Sequence, residues 1–129
     1  MTEQERVRDW VAGYERAWRD GDVAAVGRLF AEDAVYRRSP VEPPVVGLEA
    51  IRGMWTEDDG AAFTFAAEPI AVEGDRAVVR AHVGYLDPPQ AYVDLWVLRF
   101  ADDGRVAEFE EWPYWPGRGY TAAQEDAAD

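Results

Sequence analysis

The sequence predicts an α+β domain in which a cone-shaped, curved antiparallel sheet is covered by three N-terminal helices. Three observations lead there. Apolar residues recur at helical spacing through the first stretch of the chain. From Ala62 onward the chain breaks instead into four β-compatible runs. Residues of turn chemistry separate those runs: Glu73-Gly74-Asp75, Asp87-Pro88-Pro89 and Ala101-Asp102-Asp103-Gly104. At 129 residues the length suits one domain, which buries about two-thirds of its unfolded surface. The expected organisation is a domain over 1–116 and a flexible acidic tail over 117–129.

The first helix opens at Thr2 and Glu5, which have capping-box spacing. Val7, Trp10, Val11, Tyr14, Ala17 and Trp18 then share one face. Asp20-Gly21 ends the helix, because glycine accepts the left-handed cap conformation. Asp22 caps a short helix to about Leu29, with Val26, Leu29 and Phe30 inward. Ala34 to Arg38 is a short strand. Pro40, Pro43 and Pro44 make Ser39 to Val46 a loop. Gly47 starts a third helix with Leu48, Ile51 and Trp55 on one face, and Glu57 to Gly60 is a polar turn. The strands run over Phe63 to Val72, Arg76 to Tyr85, Ala91 to Phe100 and Val106 to Trp112. Thr121 to Asp129 is a frayed end.

Composition removes several function classes. There is no cysteine and one histidine, His82, so disulfides, thiol catalysis and multi-histidine metal sites are excluded. The net charge of −13 repels phosphate backbones and anionic lipids, so neither nucleic acid nor membrane is an expected partner. No signal or spanning pattern appears, and a cytoplasmic location is expected. Six Trp and six Tyr suit an aromatic-lined pocket or an interface. The Ala91 to Phe100 strand has apolar residues at both parities. Its second face therefore needs cover, and a homodimer through the back of the sheet is the expectation.

Tyr14, the Gly21-Asp22 break, Leu29-Phe30-Ala31-Glu32-Asp33-Ala34, Gly47, Ile51-Arg52 and Trp55 together resemble the SnoaL-like branch of the nuclear transport factor 2 superfamily. That branch includes ketosteroid isomerases and polyketide cyclases. Leu98-Arg99-Phe100 with Gly104-Arg105-Val106 fits its final hairpin, and the likeness covers about residues 5 to 115. The resemblance implies a ketosteroid-isomerase-like, cystatin-like cup around an apolar pocket, with frequent dimers. Carried over by position, the isomerase's oxyanion-donating tyrosine falls on Tyr14. Its aspartate base falls on Arg38, which cannot abstract a proton. Its protonated second acid falls on Trp96. The resemblance therefore implies the fold and speaks against that mechanism.

The same register turns Tyr92, Asp94 and Trp96 into the cup. Asp94 is a lone acid in an apolar run, so it is either a functional acid or base with a raised pKa or a structural ion-pair member with Arg38 or Arg80. Two arguments disagree over the preceding strand. Hydrophobic alternation turns Val79, Ala81 and Val83 inward, whereas the transferred register turns Arg80 and His82 inward, with His82 facing Asp94. Glu111 points in and Glu110 out, unless the strand slips by one residue.

The expected catalytic set is Asp94, His82, Tyr14 and Arg38. The expected ligand-binding set is Trp18, Tyr36, Trp55, Arg80, Tyr92, Trp96 and Glu111. No cofactor and no metal are expected. The expected activity is cofactor-free isomerisation, cyclisation or lyase chemistry on a planar or polycyclic carbonyl compound, bound as a small hydrophobic or aromatic ligand. The alternatives are a non-catalytic binding or association module and a structural dimer whose pocket is filled by its own rings.

Overall fold

The structure, a computed structural model, describes residues 2–55, 62–86 and 89–117. Helix α1 (Glu3–Asp20) begins with the capping box: Glu5 N–H donates to Thr2 Oγ1 at 3.1 Å and Thr2 N–H to Glu5 Oε2 at 2.8 Å. Gly21 closes it at φ 62°. Asp22 caps a tight turn, Val23–Ala25, that runs into α2 (Val26–Leu29). The expected short helix is therefore split between two helical geometries. Strand β1 (Phe30–Arg37) begins at Phe30 rather than Ala34, because the Phe30 backbone is already extended.

Within the predicted loop, β2 (Val45–Val46) pairs with Val35 and Tyr36 once the prolines are passed. Gly47, at φ 89°, donates its N–H to the Ala34 carbonyl at 2.9 Å and turns the chain into α3 (Leu48–Trp55). Strands β3 (Phe63–Glu73), β4 (Arg76–Leu86), β5 (Pro89–Phe100) and β6 (Val106–Tyr114) follow the four predicted runs with small extensions. The turn at Glu57 to Gly60, Asp87-Pro88 and the tail beyond Gly117 lie outside the described residues. No described helix is long and apolar enough to cross a membrane.

The six strands form one open sheet in the order β2-β1-β6-β5-β4-β3. The sheet is mostly antiparallel, as expected, with one parallel pair, β1 with β6. The last strand enters between the first strand and β5, a long-range pairing that local patterning does not encode. Register shifts occur between Phe30 and Val35, between Pro69 and Ala71, and between Arg99 and Phe100. Such bulges bend strands and raise their twist, which curves the sheet around the helices.

The inner face receives α1. Val7, Trp10, Val11, Tyr14 and Ala17 are buried against it. The Trp10 indole N–H donates to the Leu29 carbonyl at 2.8 Å and pins α1 to the end of α2. Phe109, 1 % exposed, stacks on Tyr14 and Tyr36 and packs against Trp10, Phe30 and Trp96. Arg6 ties α1 to the β3–β4 turn through the Gly74 carbonyl and lies over the Phe100 ring.

Alternation, not the transferred register, describes β4. Ala77, Val79, Ala81 and Val83 are buried on the inner face, while Arg80 and His82 point outward and are exposed. Four consecutive inward apolar side chains outweigh two inward charges, because an unpaired buried cation costs several kcal/mol. Arg80 pairs instead with Glu68 on β3. On the same outer face Leu95 and Val97 are half-buried, and Trp112 and Tyr114 are each 38 % exposed.

The parity of β4 gives a direct test by urea denaturation. Ala81→Asp places a carboxylate in the core and is expected to destabilise by about 3 kcal/mol or more. His82→Asp, one residue along, is expected to change stability by no more than about 0.5 kcal/mol. Equal effects at the two positions contradict this register.

Candidate functional site

The C-terminal half of α1, the end of α3 and the inner face of the sheet enclose a cavity of about 350 Å³. Of the residues expected there, Tyr14, Trp18, Tyr36, Arg38, Trp55, Tyr92, Trp96 and Glu111 line it. Gly21, Val23, Met54 and Tyr85 line it as well and were not foreseen. Tyr85 was within reach of the sequence, since it continues the inward parity of Val79, Ala81 and Val83. Met54 was not, because its place depends on how α3 docks.

Asp94 does not line the cavity. It is 1 % exposed and stands opposite Pro113 on β6. The strand period explains the grouping. Asp94 and Trp96 are two apart on β5 and so share the inner face, and Glu111 stands opposite Trp96 across the β5–β6 ladder. The Trp96 indole N–H donates to Asp94 Oδ2 at 3.0 Å. Tyr36 Oη donates to Glu111 Oε2 at 2.9 Å, and the Tyr14 and Tyr36 hydroxyls lie 3.3 Å apart.

The two carboxyl groups also lie close enough to perturb each other. Asp94 Oδ1 is buried and has no hydrogen-bond partner, so a proton held between it and the neighbouring Glu111 is what would satisfy it. Burial raises the pKa of Asp94, opposed by its bonds to Glu111, the Trp96 indole and the Trp112 backbone N–H. Burial also holds Glu111 well above the ordinary carboxyl range. The hydrogen bond and charge of Asp94 push it further up, while Tyr36 and Arg38 pull it down. Burial thus favours the protonated form of both groups, and the neighbouring Asp94 favours it further on Glu111. Tyr14 and Tyr36 are held neutral, first by burial and then by the charge Glu111 carries once ionised.

Arg80 and His82 are absent from this grouping. His82 lines a separate groove on the outer surface with Thr64, Ala66, Ala91, Val93 and Pro116. It pairs in the ladder with Val93, whereas Asp94 stands opposite Ala81. The expected imidazole–carboxylate contact is replaced by the contact between two carboxyls. A metal site formed from Asp94, Glu111 and His82 is ruled out by the same facing. Neither Arg38 nor Arg80 is the partner of Asp94.

Residues 7–109 match the model of the SnoaL-like domain. No curated protein matches the chain. Among solved structures it is similar to the epoxide hydrolase/cyclase-like enzyme SalBIII, described in pyran ring formation in the polyether salinomycin. That likeness has a TM-score of 0.73 at 22 % identity, over 87 % of this chain and 92 % of that one. It is also similar to a ketosteroid isomerase-like protein from Erwinia carotovora atroseptica, with a TM-score of 0.64, 20 % identity and coverage of 88 % and 98 %. An NTF-2 like protein of unknown function from Burkholderia xenovorans gives 0.71 at 16 % identity, covering 96 % and 94 %. These likenesses share the α+β cone described above, and with the match over residues 7–109 they make this chain a member of the SnoaL-like domain family.

Proposed function

We propose that this chain is a cofactor-free acid–base enzyme acting on a small, uncharged, oxygen-bearing organic molecule held in the aromatic cup. The observation that carries this reading is the pair of neighbouring carboxyls pushed towards protonation, Glu111 at the cavity wall and Asp94 buried beside it. Two carboxyls that hold one proton between them offer both an acid and a base at neutral pH, as proton-transfer catalysis requires. Isomerisation, cyclisation and elimination all fall within that chemistry. The isomerase-like and cyclase-like descriptions of structural neighbours concern those proteins and favour the same class here.

Roles follow from position. Glu111 faces the cavity and exchanges protons with the ligand through Tyr36. Asp94 holds the negative charge behind it, stabilised by Trp96. Arg38 stands at the cavity wall, where its charge opposes developing negative charge on oxygen. Tyr14, Trp18, Trp55 and Tyr92 supply apolar contact for a planar ligand. A volume of about 350 Å³ lies near the lower end of the usual 300–1,000 Å³ for ligand sites, which favours one or two rings over a larger polycycle.

A panel of one- and two-ring oxygenated compounds, read by proton NMR for solvent deuterium uptake or rearranged product, tests the activity. Asp94→Asn and Glu111→Gln are each expected to lower turnover by roughly 10²–10⁴-fold with binding retained. His82→Gln is expected to leave turnover within about twofold. Turnover that survives both carboxyl substitutions rejects the reading.

The shared proton also predicts a pH dependence of stability. Native Glu111 keeps a proton that the unfolded chain loses near pH 4.3. The native state therefore binds more protons above that pH, and stability falls as pH rises towards the native pKa. Glu111→Gln removes that slope and is expected to be the more stable form at pH 8, by on the order of 1–2 kcal/mol. Thermal melts of both forms from pH 5 to 8 measure it. Parallel pH profiles for the two proteins contradict a raised Glu111.

A further inference from the structure

The hydrogen bonds that lead to Asp94 have a direction, and the direction constrains the ligand. A tyrosine hydroxyl has one hydrogen to give. Tyr36 gives its hydrogen to Glu111 Oε2 at 2.9 Å, the shorter of its two contacts and the one to a carboxyl. The contact of 3.3 Å between Tyr14 and Tyr36 must then use the hydrogen of Tyr14. On the acid–base reading the pair holds its proton between Glu111 and Asp94 Oδ1, an atom that no N–H or hydroxyl reaches. Trp96, which can donate but never accept, gives its indole N–H to Asp94 Oδ2 at 3.0 Å and so favours negative charge at this end. All the hydrogens point from Tyr14 towards Asp94.

Tyr14, Tyr36 and Glu111 line the cavity and Asp94 does not. Each of the three therefore has its hydrogen committed inward and turns only lone pairs to a ligand. A carbonyl placed against this wall meets acceptors facing an acceptor. A hydroxyl meets a complementary surface with a proton sink at its far end.

We infer that the ligand presents a hydroxyl group to this wall, and that its proton passes along Tyr14, Tyr36 and Glu111 to Asp94. The inference rests on the acid–base reading above and adds the polarity and class of the reacting group. In the transfer four O–H bonds break, on the ligand, Tyr14, Tyr36 and Glu111. Four form, on Tyr14, Tyr36, Glu111 and Asp94. The negative charge that began on Asp94 ends on the ligand oxygen, which becomes a nucleophile, and no further reactant is consumed. Tyr14 then donates to that oxygen, so the wall complements the product of the transfer as well as its start. The shared stack of Tyr14, Phe109 and Tyr36 fixes the two hydroxyls relative to each other.

para-Nitrophenol and its methyl ether, para-nitroanisole, form a matched pair of one-ring probes, and the nitrophenol reports its own ionisation by colour. With the wild-type chain, below the ordinary pKa of the phenol, the phenol is expected to bind about tenfold more tightly than the ether and to show phenolate absorption when bound. Glu111→Gln interrupts the relay with an amide that keeps the hydrogen-bond direction, so bound phenol is expected to stay uncharged. Tyr36→Phe interrupts it at another bond and is expected to abolish the phenolate signal too, which covers the case in which one variant fails to fold. Equal affinity for phenol and ether, uncharged phenol in the wild-type chain, or phenolate that persists in both variants overturns the relay. Failure of either probe to compete with a compound that the chain turns over also overturns it while leaving the acid–base reading intact. Turnover that survives Asp94→Asn and Glu111→Gln is the separate failure of that reading.

Discussion

The packing of helix α1 onto one face of the sheet is the constraint from which the remaining architecture follows. Trp10 and Tyr14 present large rings that only the inner face can cover, and Phe109 meets both. Once that contact forms, strand alternation leaves no freedom in the parity of β4, β5 and β6. Burial of Leu98 and Phe100 under the helix commits Trp96 and Asp94 to the same face, and the β5–β6 ladder then brings Glu111 beside them. The buried acid pair is thus a by-product of the register that packs the core. It is held by backbone pairing on two adjacent strands and not by a loop.

This arrangement explains which features were legible in the sequence. Helix α1 was legible because its spacing, its cap and its terminating glycine agree. Asp94 stood out because an acid inside Val93, Leu95 and Val97 breaks a local pattern. Glu111 was assigned to the correct face, but its partner was not visible, since the contact joins residues on two strands and depends on their offset. The error at His82 has a different origin. A register borrowed by analogy was set against the alternation of this chain, and the core favoured the alternation. The early start of β1 was hidden because Phe30-Ala31-Glu32-Asp33 has the composition of a helix exit, while its extended path is imposed by pairing with β6.

The electrostatics operate on two scales. The formal charge of −13 is spread over the surface, where water and salt screen it. Any charge that the buried pair Asp94 and Glu111 carries is far less screened than those on the surface. Aromatic walls lower the local dielectric and intensify that field. Arg38, at the exposed end of β1, is the cavity-lining cation that acts against it.

Strand β3 has a consequence of a different kind. It is the free edge of the sheet and eleven residues long, and such an edge offers unpaired backbone groups to any extended chain nearby. Pro69 removes one donor from that row, and the shift between Pro69 and Ala71 breaks its regular spacing. Glu68 and Arg80 place opposite charges across the same segment. The irregularity that bends the cup also makes this edge a poor template for an added strand.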